Sequence, residues 1–147
     1  MSRVIPPAYF WAAIVVSVVL DRWLPISDIL VSPWRWLGSL PALAGVGIAL
    51  WADNQFKRVG TTVRPGGQAS SLVTDGAFRL SRNPMYVGMV LALLGIAMLL
   101  GSATAFAGPL LMYLVLQLVF IPMEEHDMEA AFGDEFRRYK ASVRAWL

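Results

Sequence analysis

Charged residues cut this chain into long apolar runs. The first extends from about Val4 to Leu20 and stops at Asp21 and Arg22; the second extends from about Leu37 to Ala52 and stops at Asp53. Each is near the short end of the roughly 17 to 25 residues that a membrane-spanning helix needs. A polar interval follows from Asp53 to Asn83, and then come 40 consecutive uncharged residues, Pro84 to Met123. That run is too long for one span and suits two. "LGSAT", residues 100–104, is the expected turn, and Pro109 is expected to kink the fourth span or to mark its first turn. The pattern predicts an all-α integral membrane protein with four transmembrane helices, at about 4–20, 37–52, 84–100 and 103–121. A cytoplasmic loop would occupy 53–83 and a cytoplasmic amphipathic C-terminal helix would lie within 123–147, the whole forming one domain over 1–147.

Composition supports a membrane class. The chain is 57% hydrophobic and 15% charged, against roughly 25% charge in an ordinary soluble domain. The first run lacks a small-residue cleavage site after it and reads as a retained span. Net charge is only +2, with the cations scattered among acids, which gives no basis for nucleic-acid binding. There is no cysteine, and His126 is the only histidine. Thiolate chemistry is therefore excluded, and neither bis-histidine haem ligation nor a polyhistidine metal site can be built from one chain, so no metal is expected.

The distribution of cations predicts an orientation. With four spans, one side carries Arg3, Lys57, Arg58, Arg64, Arg79, Arg82, Arg137, Arg138, Lys140 and Arg144; the other carries only Arg22 and Arg35. The positive-inside rule then places both termini and the 53–83 loop in the cytoplasm, as in a bacterial inner membrane. Trp23, Trp34 and Trp36 fall on the opposite side, where an interfacial aromatic belt would lie. Ionisable chemistry is thus concentrated in two pieces, the loop entering the third span and the tail leaving the fourth. A helical hairpin brings them together.

In the loop, "RPGGQASS" (64–71) has the composition of a lid or of slack, and Asp75-Gly76 between short apolar arms predicts a small hairpin. Asn83-Pro84 fits a helix start, with asparagine as N-cap and proline at the first helical position. That helix end is also an anion site, with Arg82 beside it and Tyr86 near the same face. In the tail, Pro122 is expected to separate the fourth span from an amphipathic helix. Glu125, Met128 and Phe132 share one face of it by their three-and-four spacing, with Glu124 about 100° away. A carboxylate on an apolar face needs a partner. It could be Arg79 or Arg82 in an ion pair, or a ligand. His126 falls among acids, as a solvent-facing residue or as a general base. Phe136, Tyr139, Val143 and Trp146 keep the spacing, so the end is expected to pack on the membrane surface. Gly45 and Gly47 would let helices approach closely.

"TTVRP", "LVTDGAFRLSRNPMYVG" and "EEHDMEAAFGDEFRRYKASVRAW" together resemble the isoprenylcysteine carboxyl methyltransferases and their phospholipid methyltransferase relatives, over about Arg58 to Trp146. The resemblance implies an integral membrane enzyme that moves a methyl group from S-adenosylmethionine to a lipophilic small molecule or lipid. Arg82, Pro84 and Tyr86 match the arginine–histidine–proline–x–tyrosine motif, with Asn83 in the histidine position. Glu124 and Glu125 match the paired acids that help to hold the donor. Val143 and Trp146 fit the tail, where Ala145 stands in the place of an arginine. Arg82, Asn83, Pro84, Tyr86, Glu124 and Glu125 are thereby implied as donor-binding residues, with Arg82, Glu125 and His126 as the catalytic set.

Two other classes compete. A four-span scaffold would use the same charges to organise helix ends or bind a partner. A transporter would need ionisable groups inside its spans, and these spans have none, Gln117 being the most polar group in the last.

Overall fold

A computed structural model describes residues 5–59 and 71–147. Arg3, Arg64, "TTVRP" and most of "RPGGQASS" lie outside them. Among the described residues the chain is helical, the one β feature being an isolated bridge between Asp28 and Ser102. The elements are α1 (Pro6–Trp23), a 3-10 turn (Trp34–Gly38), α2 (Ser39–Val59), a 3-10 turn (Gly76–Arg79), α3 (Pro84–Leu100), a 3-10 turn (Ala103–Phe106), α4 (Ala107–Val115), a π segment (Leu116–Phe120), α5 (Ile121–Phe132) and α6 (Asp134–Ser142). Two continuous helical stretches, Trp34–Arg58 and Ala103–Phe132, are long and apolar enough to cross a membrane; α3 is apolar but only 17 residues long.

Small residues set the helix packing. Gly45 meets the backbone of Gly88 and Ala92, and Gly38 and Ala42 meet Gly95, so α2 and α3 touch backbone to backbone. A Cβ on Gly45, Gly88 or Gly95 would collide with main-chain atoms of the other helix. Gly47, expected to share this role, has nothing within 4 Å and faces outward. On the other flank α1 packs on α4 through Ala13 and Gly108, and the Ser17 hydroxyl donates to the Ala105 carbonyl at 2.8 Å. The turn after α3 is closed by Gly101 at φ 97°, a left-handed conformation that favours glycine. Its carbonyl accepts from the amides of Ile29 and Leu30 at 2.9 and 3.0 Å. Trp23, Trp34 and Trp36 sit exposed at this end of the bundle.

Four further sequence expectations are corrected by the fold. Asp53 does not end the second helix, which continues to Val59 because Asp53 pairs with Lys57 one turn later (2.5 Å) and Ala52 is buried against the turn at 77–78. Lys57 and Arg58 also suit its C-terminal dipole. Asp75-Gly76 forms a 3-10 turn rather than a hairpin: Ala77 N–H donates to Gln55 Oε1 at 2.9 Å, and Phe78 packs on Phe56 with ring centres 4.8 Å apart. Both arms are thus drawn onto α2. Pro122 does not separate two helices. Proline lacks an N–H and crowds the carbonyl four residues back. The helix accommodates it by widening into the π segment, where Ile121 N–H reaches Leu116 O five residues back. The break comes instead at Gly133, φ 52°.

The end of the chain also departs from expectation. Phe136 and Tyr139 are buried with Ala52, Ala77 and Phe78, and Trp146 folds back against α4. They therefore cover the protein's own helices instead of lying on a membrane surface.

Candidate functional site

Three segments converge where the apolar helices give way to charge: the corner at 81–86, the start of α5, and the chain after α6. Proline at the first helical position, with no amide to leave unpaired, fixes the start of α3. Asn83 is the N-cap residue by position, and its carbonyl accepts from the amides of Tyr86 and Val87 at 3.0 and 3.1 Å. Its side chain does not cap. The Nδ2 group donates instead to the Ala145 carbonyl at 3.0 Å, because the chain after α6 is laid across this corner.

Arg82 is the hub of the corner. Its Nη2 donates to Glu125 Oε1 at 2.5 Å, and its Nη1 to the carbonyls of Val143 and Lys140 at 2.5 and 3.0 Å. Lys140 Nζ lies 2.6 Å from the other Glu125 oxygen. Both oxygens of Glu125 are therefore occupied by cations. Burial alone would raise its pKa, but Lys140 and Arg82 outweigh burial and hold it below the ordinary carboxylate range. Arg79, the other arginine considered for this pairing, instead bonds Asp75 at 2.8 Å on the surface.

Glu124 has a different environment. Its Oε1 accepts from the Tyr86 hydroxyl, which joins α5 to α3. Burial pushes its pKa up to about 7; the Tyr86 hydrogen bond opposes this and the charge of Asp127 adds to it. Asp127, one turn along α5, has its Oδ2 buried without a hydrogen-bond partner among the described residues. Arg82 Nε is likewise buried and, among the described residues, unpartnered. The site thus has one carboxylate oxygen, on Asp127, and one guanidinium N–H, on Arg82, without a partner, while Glu124 takes the Tyr86 hydroxyl. A desolvated carboxylate oxygen without a donor favours a cation or a hydroxyl group.

The structure brings together Arg82, Asn83, Pro84, Tyr86, Glu124 and Glu125. It leaves His126 exposed beside Glu129, outside these bonds. Sequence reasoning missed Ser81, Asp127, Tyr139 and Lys140. Tyr139 donates to the Phe78 carbonyl at 2.7 Å, and burial pushes its pKa up to about 12, with Arg82 opposing. Asp127 had a visible signal, since it lies three residues after Glu124 and so shares its side of the helix. Lys140 had none, because the Gly133 break resets the helical phase between it and Glu125.

Residues 34–135 match the phospholipid methyltransferase family. The chain belongs to that family. An uncharacterized protein of Haemophilus influenzae is 43% identical over 63 residues, which are 43% of this chain and 100% of that protein. The protein-S-isoprenylcysteine O-methyltransferase of Schizosaccharomyces pombe is 41% identical over 75 residues, 49% of this chain but only 30% of the yeast protein. No solved structure is significantly similar to the chain. Family membership and the long apolar helices place the chain among membrane methyltransferases. All of Arg82, Tyr86, Glu124, Glu125 and Asp127 lie within the matched phospholipid methyltransferase segment, whereas Lys140 and the residues after it lie beyond it.

Proposed function

We propose that this chain is an S-adenosylmethionine-dependent methyltransferase acting on a lipophilic acceptor held in the bilayer. The observation that carries the reading is the buried, unpartnered oxygen of Asp127 one turn from Glu124, which takes the Tyr86 hydroxyl, in a chain of the phospholipid methyltransferase family. The residues fit such a donor by charge. Glu124 and Asp127 suit its ammonium, sulfonium or ribose hydroxyls. Arg82, through Nε, suits its carboxylate. Tyr86 offers an aromatic face to a cation. Glu125 holds Arg82 in place and is not itself the ligand contact.

S-adenosylmethionine supplies a methyl group whose bond to sulfur breaks as the acceptor's lone pair forms the new bond, with S-adenosylhomocysteine leaving. The chain's own part is to fix the two reactants and keep water from between them. A carboxylate or thiolate acceptor needs no base. For an amine or phenol, Glu124 is the buried candidate and His126 the exposed one. Membrane phospholipid amines, small thiols and hydrophobic acids all satisfy this chemistry.

The reading includes four spans with both termini on the cytoplasmic side of a bacterial inner membrane. It is supported by the ten-to-two partition of lysine and arginine between the two ends of the helices. The donor would enter from the cytoplasm and the acceptor sideways from the bilayer. The scaffold reading draws on one observation, that both oxygens of Glu125 are paired with Arg82 and Lys140 without a ligand.

The test uses membranes containing the overproduced protein, incubated with methyl-labelled S-adenosylmethionine and extracted with organic solvent. Label in the organic phase that is lost with Glu124→Ala supports the reading. Equal label with and without the protein supports the scaffold.

A further inference from the structure

After α6 ends at Ser142 the chain becomes extended, with Val143 at φ −128° and ψ 137°. No sheet or helix holds it there. Three of its carbonyls nevertheless accept four hydrogen bonds from three consecutive residues of the corner before α3. Arg82 Nη1 donates to Val143 O at 2.5 Å and Arg82 N–H to Arg144 O at 2.8 Å; Ser81 Oγ and Asn83 Nδ2 each donate to Ala145 O at 3.0 Å. The Asn83 side chain is thus directed by this strap and not by its own turn, and the Arg82 side chain is held by the strap together with Glu125 and the Lys140 carbonyl.

What fixes the strap is Trp146. Its indole Nε1 donates to Gln117 Oε1 at 2.6 Å, and its ring lies 5.0 Å from that of Tyr113. Gln117 is in the π segment of the fourth apolar helix, seven residues before Glu124 on the same continuous rod. An amide oxygen and an indole N–H in apolar surroundings each cost free energy if unpaired, so they hold one another. One indole therefore ties the strap, and through it Arg82 and Asn83, to the helix that carries Glu124 and Asp127.

We propose that Trp146 is a positioning residue for donor binding: latched to Gln117, it holds the strap whose carbonyls orient Asn83 and, with Glu125, Arg82. The proposal rests on the reading of this site as one for S-adenosylmethionine. If Trp146 were only a packing anchor, replacing it would lower stability and leave the affinity of the folded protein unchanged.

The test titrates detergent-solubilised protein with S-adenosylhomocysteine in a calorimeter, below every variant's unfolding midpoint. The set is wild type, Trp146→Phe, Gln117→Leu, the double variant, and Gln117→Glu, which keeps an acceptor oxygen in either protonation state. Trp146→Phe and Gln117→Leu should each weaken binding by up to about tenfold, the loss of one hydrogen bond. The double variant should be no weaker than either single one, and Gln117→Glu should bind close to wild type. Hydrogen exchange at the Arg82 amide should quicken in Trp146→Phe. Wild-type affinity in folded Trp146→Phe, or additive losses in the double variant, overturns the latch alone. A wild type that binds no S-adenosylhomocysteine overturns the donor-site reading and the latch with it.

Discussion

The Tyr86 hydroxyl donates to Glu124, 38 residues away, and this bond closes α3 onto α5 beside the buried oxygen of Asp127. Glu125, next in sequence, faces Arg82 and Lys140 instead. Adjacent positions on a helix are about 100° apart, so two neighbouring carboxylates meet opposite environments.

Opposite pH dependences follow from that difference. Glu124 has a raised folded pKa of about 7, so its carboxyl favours folding in acid, and that advantage fades as pH rises from the ordinary carboxylate range through about 7. Glu124→Gln should therefore match wild type near pH 4 and exceed its stability above neutrality by up to about 3 kcal/mol, less whatever solvent screening removes. Unfolding followed across that range checks it; a constant difference between the two proteins would refute it.

Glu125 has the other sign. Its folded pKa is lowered, so its contribution is present above the ordinary carboxylate range and lost as pH falls through the lowered folded value. Removing it with Glu125→Ala strands Arg82, whose side chain is 11% exposed, and should cost about 3 kcal/mol. Lys140, 42% exposed, should matter by less than about 1 kcal/mol when replaced by alanine. Denaturant unfolding in one detergent would rank the two, and equal losses would contradict the burial argument.

The α2–α3 seam makes a prediction of its own. Gly88→Ala and Gly95→Ala should each destabilise by about 1–3 kcal/mol, since the added methyl meets backbone that can move only with its helix. Gly47→Ala, facing open space in mid-helix, should be neutral or stabilise by up to about 1 kcal/mol. Thermal unfolding of the three variants tests this, and a destabilised Gly47→Ala would mean that this outer face is occupied.

The start of α3 was legible because proline constrains its own dihedral and the asparagine before it, both local effects. Its turn at Gly101 was legible for the same reason. Glu125 was marked as needing a partner from its place on an apolar face, with an ion pair and a ligand left as alternatives; the structure supplies Arg82 and Lys140. Other features depend on distant segments that no local pattern shows. Pro122 carries a break signal, yet the surrounding contacts keep the rod continuous through a π segment. Asn83 carries a capping signal, yet its amide is taken by Ala145 from 62 residues away. Trp146 has the look of an interfacial anchor and instead pairs with Gln117, a partner concealed in an apolar run. Family membership was legible from motif order, while the division of labour between Glu124 and Glu125 required geometry.

The most direct measurement is calorimetric titration of the detergent-purified protein with S-adenosylhomocysteine, beside Glu124→Ala and Asp127→Asn. The account predicts saturable binding by the wild type, abolished by Glu124→Ala and weakened by Asp127→Asn in proteins that remain folded. A folded wild type that shows no binding, or variants that bind as tightly as it does, would contradict the placing of the methyl donor against these two carboxylates.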